Sequence, residues 1–471
     1  MDHRIVVLDN GSEKCKVGFA TSTGQPSLVP NYAVRPKREK RLYIADQCDE
    51  VTDLSGLFFR RPMDRGLIVN WELETLIWKQ MFSSPTSGVQ VTDPSSVSLC
   101  LLEPPLSMQH KEMMELIFER VGFHSTHRAI SSIHTPSLFY RPDLAGAAAA
   151  DSDTMADARA GDVPQTIASR LQAAVTAAQI SLPANYPILK YPCSVIIDVG
   201  FSGTNIIPTV HGRPVRRAIR RLNIGGKVMT NYLKELISYR QFNVLEETCL
   251  VNDAKEKACY VFTRMDEDMT LPKNRRRQHQ LRADYVLPSD GQRYGYVREP
   301  PPLGSAQNDS DDQVISLISE RYSVPELLFH PSDIGSSQAG LPEMVLDAIS
   351  ACAPVVQGPM WSSILLLGAS SQFVGLATRL ETELRRLAPT DIPVHVMRTP
   401  HPAVCGWIGS LNWVRDELHL PAVHPLTLNV PQGTAGTPTR ADIDALIGRH
   451  FITKAEWEEA GESILARKCQ I

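Results

Sequence analysis

Two segments that lie far apart in this chain share one sequence plan. In VVLDNGSEKCKVGF (6–19) and VIIDVGFSGTNIIP (195–208), an apolar run rich in β-branched residues ends in Asp-x-Gly and continues into a turn of small residues. Either copy alone would indicate only an ordinary β-hairpin, because Asp-x-Gly is common in turns. Two copies in one chain indicate an internal duplication and therefore a pair of related domains.

The chemistry of the repeated plan suits a phosphate ligand. A strand that ends in Asp9 or Asp198 places a carboxylate at the edge of a sheet, where it can hold a hydrated divalent cation. Gly11 and Gly200 allow the hairpin that follows to approach a phosphate chain closely. Two such strands that face each other predict a phosphate clamp between the two domains.

Composition sets broad limits on function. A chain of 471 residues is long for one core and predicts at least two domains. Its formal net charge of -4, with Lys and Arg spread among Asp and Glu, gives no reason to expect tight, direct DNA binding. The sequence shows neither a long uncharged apolar stretch nor a signal-peptide pattern, so we expect no membrane contact. Nine cysteines without a Cys-x-x-Cys pair predict reduced thiols rather than a disulfide framework or a zinc module.

Strands and helices alternate in both halves, and three stretches interrupt the pattern. Residues 141–192 are rich in Ala and acidic residues, and we interpret them as a surface insertion. Residues 265–313 combine a basic run with a Pro-rich one, which is typical of a mobile loop, and only 284–291 within them are predicted to be ordered. Residues 419–439 are rich in Pro, Gly and Thr. The cluster Arg275–Arg277 is interpreted as a solvated loop in preference to a contact with phosphate or an acidic protein.

Several further segments resemble the actin superfamily in the same order along the chain. They include PMDRGLIVNWELETLIWKQMF (62–82), KEKACYV (255–261), ERYSVPELLFHPSDIG (320–335) and FITKAEWEEAGESILARKCQI (451–471). The segment ADQCDEVTDLSGLFFRRP (45–62) stands where actin has its mobile DNase-binding loop. Together with VPELLFHPSDIG, it is similar to the sixth class of actin-related proteins.

The resemblance implies a duplicated two-domain α/β fold of the actin/Hsp70-like (ribonuclease H-like) type, with a nucleotide cleft between the domains. It also implies a division into the subdomains of actin, with one insertion. These are subdomain 1 (1–28, 62–140 and 404–471), subdomain 2 (29–61), the insertion (141–192), subdomain 3 (193–222 and 321–403) and subdomain 4 (223–320, with a basic and Pro-rich loop at 265–313).

The resemblance further implies that ATP or ADP binds in the cleft with magnesium, which Asp9 and Asp198 would hold through water. The residues that match the first phosphate loop are Asp9, Asn10, Gly11, Ser12 and Lys16. Those that match the second loop are Asp198, Gly200, Gly203 and Thr204. Those that match the nucleoside contacts are Gly226, Lys255, Glu256, Gly368, Ala369 and Phe373. Taken by itself, the pair Lys255 and Glu256 is more simply an exposed pair of charges on a helix.

Departures from the actin pattern predict weak binding and little or no hydrolysis, with no catalytic residue. Glu13 replaces a glycine of the phosphate loop, and a carboxylate so close to a phosphate costs roughly 1–4 kcal/mol. Phe201 replaces an acidic residue. The segment expected to be a helix with a water-positioning glutamine has Ile133 at the aligned place, and we interpret the adjacent His134 as packed rather than catalytic. Three further residues differ from those of the adenosine site of actin and reduce the expected contacts with the nucleoside: Asn252, Ala369 and Ala403.

By resemblance, the chain is expected to be a nuclear scaffold, with some cytoplasmic pool. The implied assembly is a SWR-type (SRCAP-type) ATP-dependent chromatin-remodelling complex, which replaces a conventional histone with its variant. The implied partners are a zinc-finger HIT-domain subunit and the motor ATPase, with nucleosomes and histones met through the complex. One alternative is an active actin-like ATPase or filament protein, which the missing carboxylate base disfavours. Another is a cytoplasmic cytoskeletal adaptor, which residues 45–62 disfavour.

One segment is a candidate docking surface. Its residues combine apolar and aromatic side chains with arginines, as interface hot spots do: Leu57, Phe58, Phe59, Arg60 and Arg61. The alternative is that they pack under their own subdomain. We expect no homopolymer, because the replaced loop and the three insertions would obstruct a repeating contact.

Overall fold

The computed structural model describes most of the chain. The described residues are 4–21, 24–140, 189, 191–263, 281–289, 292–298, 312–425 and 438–469. Residues 141–188 of the predicted insertion and the cluster Arg275–Arg277 lie outside them.

Strands and helices alternate along the described residues, as the sequence predicted. The strands are β1 (Arg4–Asp9), β2 (Lys14–Phe19), β3 (Ser27–Pro30), β4 (Ala33–Pro36), β5 (Tyr43–Ile44), β6 (Leu57–Arg60), β7 (Met63–Asp64), β8 (Leu67–Ile68), β9 (Val97–Glu103), β10 (Ser125–Ile130), β11 (Cys193–Val199), β12 (Thr204–Val210), β13 (Arg213–Pro214), β14 (Arg220–Leu222), β15 (Ala283–Val286), β16 (Tyr296–Arg298), β17 (Val314–Leu317), β18 (Ile364–Leu367), β19 (Val396–Arg398) and β20 (Ile452–Thr453). The α-helices are α1 (Trp71–Ser83), α2 (His110–Glu115), α3 (Gly226–Arg240), α4 (Thr248–Ala258), α5 (Glu320–Glu326), α6 (Leu341–Ser350), α7 (Pro354–Trp361), α8 (Leu376–Leu387), α9 (Cys405–Glu417), α10 (Arg440–His450), α11 (Lys454–Ala460) and α12 (Ser463–Lys468).

The two main sheets repeat one pairing pattern. The first has the strand order β20-β10-β9-β1-β2-β3, with β1 antiparallel to β2 and parallel to β9. In the second, ordered β13-β12-β11-β18-β19, strand β11 is antiparallel to β12 and parallel to β18. Each Asp-x-Gly segment therefore forms the central strand and hairpin of its own sheet. The predicted duplication and the two-domain α/β fold are confirmed.

The central strands are buried on both faces, which explains their continuous apolar sequences. Val6 packs in the cluster on the outer face of the first sheet, and Val7 packs in a cluster between the two sheets. Ile196 of β11 joins Val7 in that middle cluster, and Ile197 packs in the cluster on the far side of the second sheet. The core thus has three layers separated by two sheets.

A third, smaller sheet corrects one expectation from the sequence. Within 265–313, only 284–291 were expected to be ordered, yet β16 (Tyr296–Arg298) pairs with β15 and β17 completes the sheet. Strand β16 was not predictable from the sequence, because three residues are too few to show alternation.

The cysteines behave as predicted. All nine are free, and eight of them are buried. In addition, no helix in the described part of the chain is long and apolar enough to cross a membrane.

Helix α9 lies between the sheets and needs a glycine where it meets the turn after β10. A Cβ atom on Gly409 would lie 2.8 Å from the backbone carbon of His134 and from the backbone nitrogen of Thr135. Gly448, in α10, faces open space instead. Substitution of Gly448 by alanine therefore tests helix propensity alone, whereas the same substitution at Gly409 also tests packing.

We expect Gly409→Ala to destabilise the protein by about 1–3 kcal/mol, because the added methyl overpacks rigid backbone. Gly448→Ala should be neutral or stabilising by up to about 1 kcal/mol, because alanine is the better helix former. Urea unfolding of both variants measures the difference. Equal effects of the two substitutions would contradict the close packing of α9.

Candidate functional site

The two aspartates of the repeated plan, Asp9 and Asp198, come together near the ends of β1 and β11. Lys16 Nζ lies 2.8 Å from Asp9 Oδ2. Two consecutive serines join the carboxylates: Ser131 Oγ donates to Asp9 Oδ1 at 3.4 Å, and Ser132 Oγ donates to Asp198 Oδ2 at 3.2 Å. The turn after β10 therefore bridges the two hairpins.

The charges at this point suit a divalent cation. Removal from water raises the pKa of Asp198, and the negative charge of Asp9 adds to the rise while Lys16 opposes it. Burial acts to lower the pKa of Lys16, but Asp9 and then Asp198 raise it above its ordinary value. Lys16 lies beside both carboxylates, and Arg221 is a second electrostatic partner of Asp198. In the described ranges no three His, Cys, Asp or Glu side chains form a metal site. Carboxylates such as Asp9 and Asp198 could hold a magnesium ion through water, because magnesium keeps several of its waters when protein carboxylates bind it.

Glycines let the hairpins pack tightly around the carboxylates. A Cβ atom on Gly11 would lie 2.6 Å from the carbonyl oxygen of Lys14. Gly368 has a φ of +90°, and its Cβ would lie 2.6 Å from Asp198 Oδ1. Gly368 thus belongs to the wall of the phosphate site, on the second-domain side.

Two residues of the first hairpin point away from the cleft. The Asn10 side chain is buried and donates to Glu74 Oε1 at 2.6 Å, and Trp78 Nε1 donates to the same oxygen at 3.1 Å. Burial raises the pKa of Glu74 to about 7. Ser12 Oγ contacts the sulfur of Met63 at 3.3 Å. Both side chains were predicted to contact nucleotide, and in this structure they contact protein instead.

Two residues of the second hairpin are also used internally. The buried Thr204 hydroxyl donates to the carbonyl of Ile224 at 2.9 Å. Gly203 lies against β14, where a Cβ would approach the carbonyl oxygen of Leu222 to 2.9 Å. These residues shape the hairpin rather than face a ligand.

The second hairpin is tied to the beginning of α3. The backbone nitrogen of Gly226 donates to the carbonyl of Gly200 at 3.0 Å, and that of Lys227 donates to Phe201 at 2.9 Å. A Cβ on Gly226 would lie 3.2 Å from the Phe201 ring. The predicted contact residues Gly200 and Gly226 are therefore neighbours at one end of the cleft.

The nucleoside residues fall into two groups. Lys255 is 3% exposed, and its Nζ donates to Asn252 Oδ1 at 2.8 Å and Thr230 Oγ1 at 3.0 Å. Glu256 accepts a bond from Asn252 Nδ2 at 2.7 Å and is exposed to the cleft. The interpretation as an exposed charge pair is wrong for Lys255, whose burial lowers its pKa.

The segment after β18 also divides between the cleft and the core. Ala369 follows Gly368 in a short turn of 3-10 helix, and Ser370 Oγ donates to the carbonyl of Gly200 at 3.4 Å. Phe373 is 8% exposed and packs in the core of the second domain. It was predicted to form the adenosine pocket, but its ring is a core side chain here.

A cavity of about 440 Å³ lies between the hairpins and helices α3 and α4. This volume is in the range of small-molecule sites. The residues that line it include Glu13, Phe201, Lys227, Thr230, Asn252 and Glu256. Glu13 and Phe201 belong to the two hairpins that carry the acidic pair, so the cavity lies next to these hairpins, with Asn252 and Glu256 on its α4 side.

Arg61 reaches into this cavity from the end of β6. Its Nη1 lies 2.5 Å from Glu13 Oε2, and its guanidinium carbon lies 4.7 Å from the centre of the Phe201 ring. Tyr32 and Phe59 are at 4.9 Å and 5.1 Å. Cation–π contacts of this kind contribute about 2 kcal/mol when desolvated. The prediction from the sequence placed this arginine on a docking surface instead of in the cleft.

The mouth of the cleft is closed by apolar packing. The small lobe (residues 32–61) places Leu54 and Leu57 against Leu250 of α4 in one buried cluster. Polar contacts accompany it: the backbone nitrogen of Gly56 donates to both Glu247 carboxylate oxygens at 3.2 Å. The small lobe therefore touches the second domain across the cleft.

The predicted docking segment divides by strand alternation. Leu57 is 6% exposed, and Phe59 packs beside it in the mouth of the cleft. Arg61 lies in the cavity, whereas Phe58 is 43% exposed and Arg60 is also exposed. In this closed structure, Leu57, Phe59 and Arg61 are not available to a partner, which corrects that part of the prediction.

Comparison with known proteins agrees with this geometry. Residues 2–417 match the family model of actin. The chain belongs to the actin family. It is also similar, over most of its length, to proteins named actin-related protein 6, as the segments 45–62 and 324–335 predicted.

Three of these relatives illustrate the similarity. Actin-related protein 6 of Oryza sativa subsp. indica is 34% identical over 438 residues, which cover 86% of this chain and 91% of that protein. The Drosophila melanogaster protein is 34% identical over 415 residues, which cover 87% and 92%. The Neurospora crassa protein is 31% identical over 482 residues, which cover 98% and 93%.

In this actin-family chain, the segment after β10 differs from its prediction. It is a turn followed by a short 3-10 helix (Thr135–Leu138), not a continuous helix. Ile133 is fully buried in the middle core cluster. His134 stacks on Trp413 with ring centres 5.1 Å apart, and burial lowers its pKa to about 3. His134 is therefore packed, as interpreted, and the side chains that reach the cleft are Ser131 and Ser132.

The raised pKa of Glu74 has a consequence for stability. Because the carboxyl titrates at about 7 when folded and at 4.5 in its ordinary state, the unfolded chain loses this proton first as pH rises. Stability is therefore lost between about pH 4.5 and pH 7. We expect Glu74→Gln to remove this loss. The free energy of unfolding of the variant minus that of wild type should therefore be about 3 kcal/mol higher at pH 8 than at pH 4.5.

Urea unfolding at several pH values measures this difference. Glu72→Gln is the matched control, because Glu72 lies on the same helix but is exposed. A pH profile of Glu74→Gln parallel to that of wild type would show that Glu74 stays ionised in the fold.

Proposed function

We propose that this chain is a nuclear actin-related scaffold, a subunit of an ATP-dependent chromatin-remodelling complex that exchanges a conventional histone for its variant. It binds nucleotide without hydrolysing it. The similarity to proteins named actin-related protein 6 supports the class of protein. The observation that carries the proposal is the closed cleft, in which the small lobe is packed onto α4 and the acidic groups near the phosphate site have protein partners.

Hydrolysis requires a group that positions and deprotonates water beside the terminal phosphate. Asp9 is paired with Lys16, and Glu13 is paired with Arg61. The position that carries an acid in actin is Phe201, whose ring lies under the same arginine. These partners argue against a free general base at this site.

A bound magnesium nucleotide would supply a charged link between the two domains. Lys16, Asp9 and Asp198 would hold its charged end, and Asn252 and Glu256 would meet the nucleoside. In this proposal, the motor subunit of the complex performs the ATP hydrolysis, and this chain presents a fixed shape to its partners. Those partners are a zinc-finger HIT-domain subunit and the motor, and through them the nucleosome.

An active ATPase is the second candidate, and one observation favours it. The hydroxyls of Ser131 and Ser132 reach the two aspartates, where an isoleucine was expected. A serine hydroxyl can hold a water molecule, which an isoleucine cannot. Hydrolysis must therefore be measured.

We expect purified protein with Mg-ATP to release phosphate no faster than its Asp198→Asn variant, because Asp9 and Glu13 are ion-paired and Phe201 stands where actin has an acid. A coupled phosphate-release assay under single-turnover and steady-state conditions measures the rate. Release by wild type that Asp198→Asn abolishes would establish the second candidate.

Docking through the outward face of β6 is also testable. We expect the double variant Phe58→Ser, Arg60→Ser to keep the melting temperature of wild type, because both side chains are exposed. The same variant should reduce recovery of the HIT-domain subunit at least about tenfold, as loss of an aromatic hot spot does. The measurement is quantitative affinity purification from nuclear extract. Tyr239→Ser is the control, because Tyr239 is 91% exposed at another site. Normal recovery with the double variant would place docking elsewhere.

A further inference from the structure

Two departures from the actin pattern meet at a single side chain. Glu13 replaces a glycine in the first hairpin, and Phe201 replaces an acid in the second. Arg61 binds both, through an ion pair of 2.5 Å to Glu13 and a ring contact of 4.7 Å to Phe201. Each substitution alone weakens a phosphate site. Together, however, they provide a carboxylate and an aromatic ring that bind the same guanidinium group.

The surroundings of Arg61 differ from those of a surface ion pair. Its side chain is 14% exposed, and that of Glu13 is 30% exposed. Tyr32 and Phe59 complete the enclosure on the side of the small lobe. Ion pairs contribute little when solvated, but a partly buried cation between aromatic rings is held more strongly.

The contacts of Arg61 join three parts of the chain. Glu13 belongs to the first domain, Arg61 with Tyr32 and Phe59 to the small lobe, and Phe201 to the second domain. Other links across the cleft are more exposed: the side chains of Lys37 and Glu246 are 65% and 60% exposed. Arg61, at 14% exposed, is thus more enclosed than the lysine of this pair and than Lys227 and Arg293, the cations of two further pairs across the cleft.

We propose that Arg61, through its contacts with Glu13 and Phe201, is an internal clamp that holds the cleft closed without nucleotide. In a cleft closed by a ligand, the closed state gains stability only as the ligand concentration exceeds its Kd. Here the cation and its receptors are all side chains of the chain, so closure persists at zero nucleotide. This inference concerns the isolated chain and does not depend on the proposed role in chromatin.

Two cysteines in the cleft report its opening. Cys48 of the small lobe and Cys249 of α4 both line the cavity. Burial raises the pKa of Cys48 to about 12 and that of Cys249 to about 11, so both are protonated and slow to alkylate in the closed state. Opening exposes the thiols and restores ordinary reactivity.

The experiment measures alkylation of Cys48 and Cys249 by N-ethylmaleimide, peptide by peptide, by mass spectrometry on the purified full chain. Without nucleotide, we expect both thiols to react about tenfold faster in Arg61→Ala and in Phe201→Leu than in wild type, which corresponds to about 1.4 kcal/mol of closure free energy. Glu13→Gln should show a smaller increase, because the ring contacts remain.

Arg41→Ala is the matched control. Arg41 also pairs with a carboxylate, Glu50, at 3.3 Å and lies 4.4 Å from the Tyr43 ring, but its side chain is 57% exposed. Its removal should leave the alkylation rates unchanged. Cys100, which is buried in the core, serves as an internal check that each variant is folded.

Two results would overturn the clamp: unchanged rates in Arg61→Ala with Cys100 protected, or equal acceleration in Arg41→Ala. If Arg61→Ala fails to fold, Phe201→Leu and Glu13→Gln carry the same comparison. None of these results depends on recovery of partners from nuclear extract, so failure of the clamp and failure of the scaffold proposal can be told apart.

Discussion

The cleft is organised around two carboxylates that meet with one ammonium group between them. Asp9 is the last residue of β1 and Asp198 the second-last of β11, so the duplication itself brings two carboxylates to the point where the domains face each other. Lys16 pairs with Asp9 and acts electrostatically on both. The glycines of the hairpins and the serines after β10 follow from this constraint, because only small or hydroxyl-bearing residues can pack beside partly desolvated carboxylates without adding charge.

The arrangement at the mouth of the cleft is of a different kind. Leu54, Leu57 and Leu250 close it by apolar burial, which is non-directional and does not fix the relative position of the lobes by itself. Directional contacts supply that precision, and Arg61 is more enclosed than the cations of the ion pairs Lys37–Glu246, Lys227–Asp64 and Arg293–Asp49. A ligand cavity of about 440 Å³ survives beneath this closure, so the closed state and nucleotide binding are compatible in size.

The sequence predicted the architecture well where it is written in periodic patterns. The continuous apolar runs of β1 and β11 predicted strands that are buried on both faces, and their shared Asp-x-Gly turns predicted the duplication. The side-chain directions of Asn10, Ser12 and Phe373 were not predictable, because one backbone segment can turn a polar group to a ligand or to the core, and only tertiary packing selects between them. The position of β16 was also missed, since a strand of three residues has no readable period.

Alternation along β6 was the sequence signal that could have placed Arg61. In an extended strand, every second side chain shares a face, so Leu57, Phe59 and Arg61 point one way while Phe58 and Arg60 point the other. Leu57 and Phe59 bury apolar surface at the mouth, and the same face therefore carries Arg61 inward to Glu13 and Phe201. The replacements at Glu13 and Phe201 each remove a feature of a phosphate site, but together they create a binding site for Arg61. A carboxylate and an aromatic ring in facing hairpins are the two groups that a guanidinium group binds best.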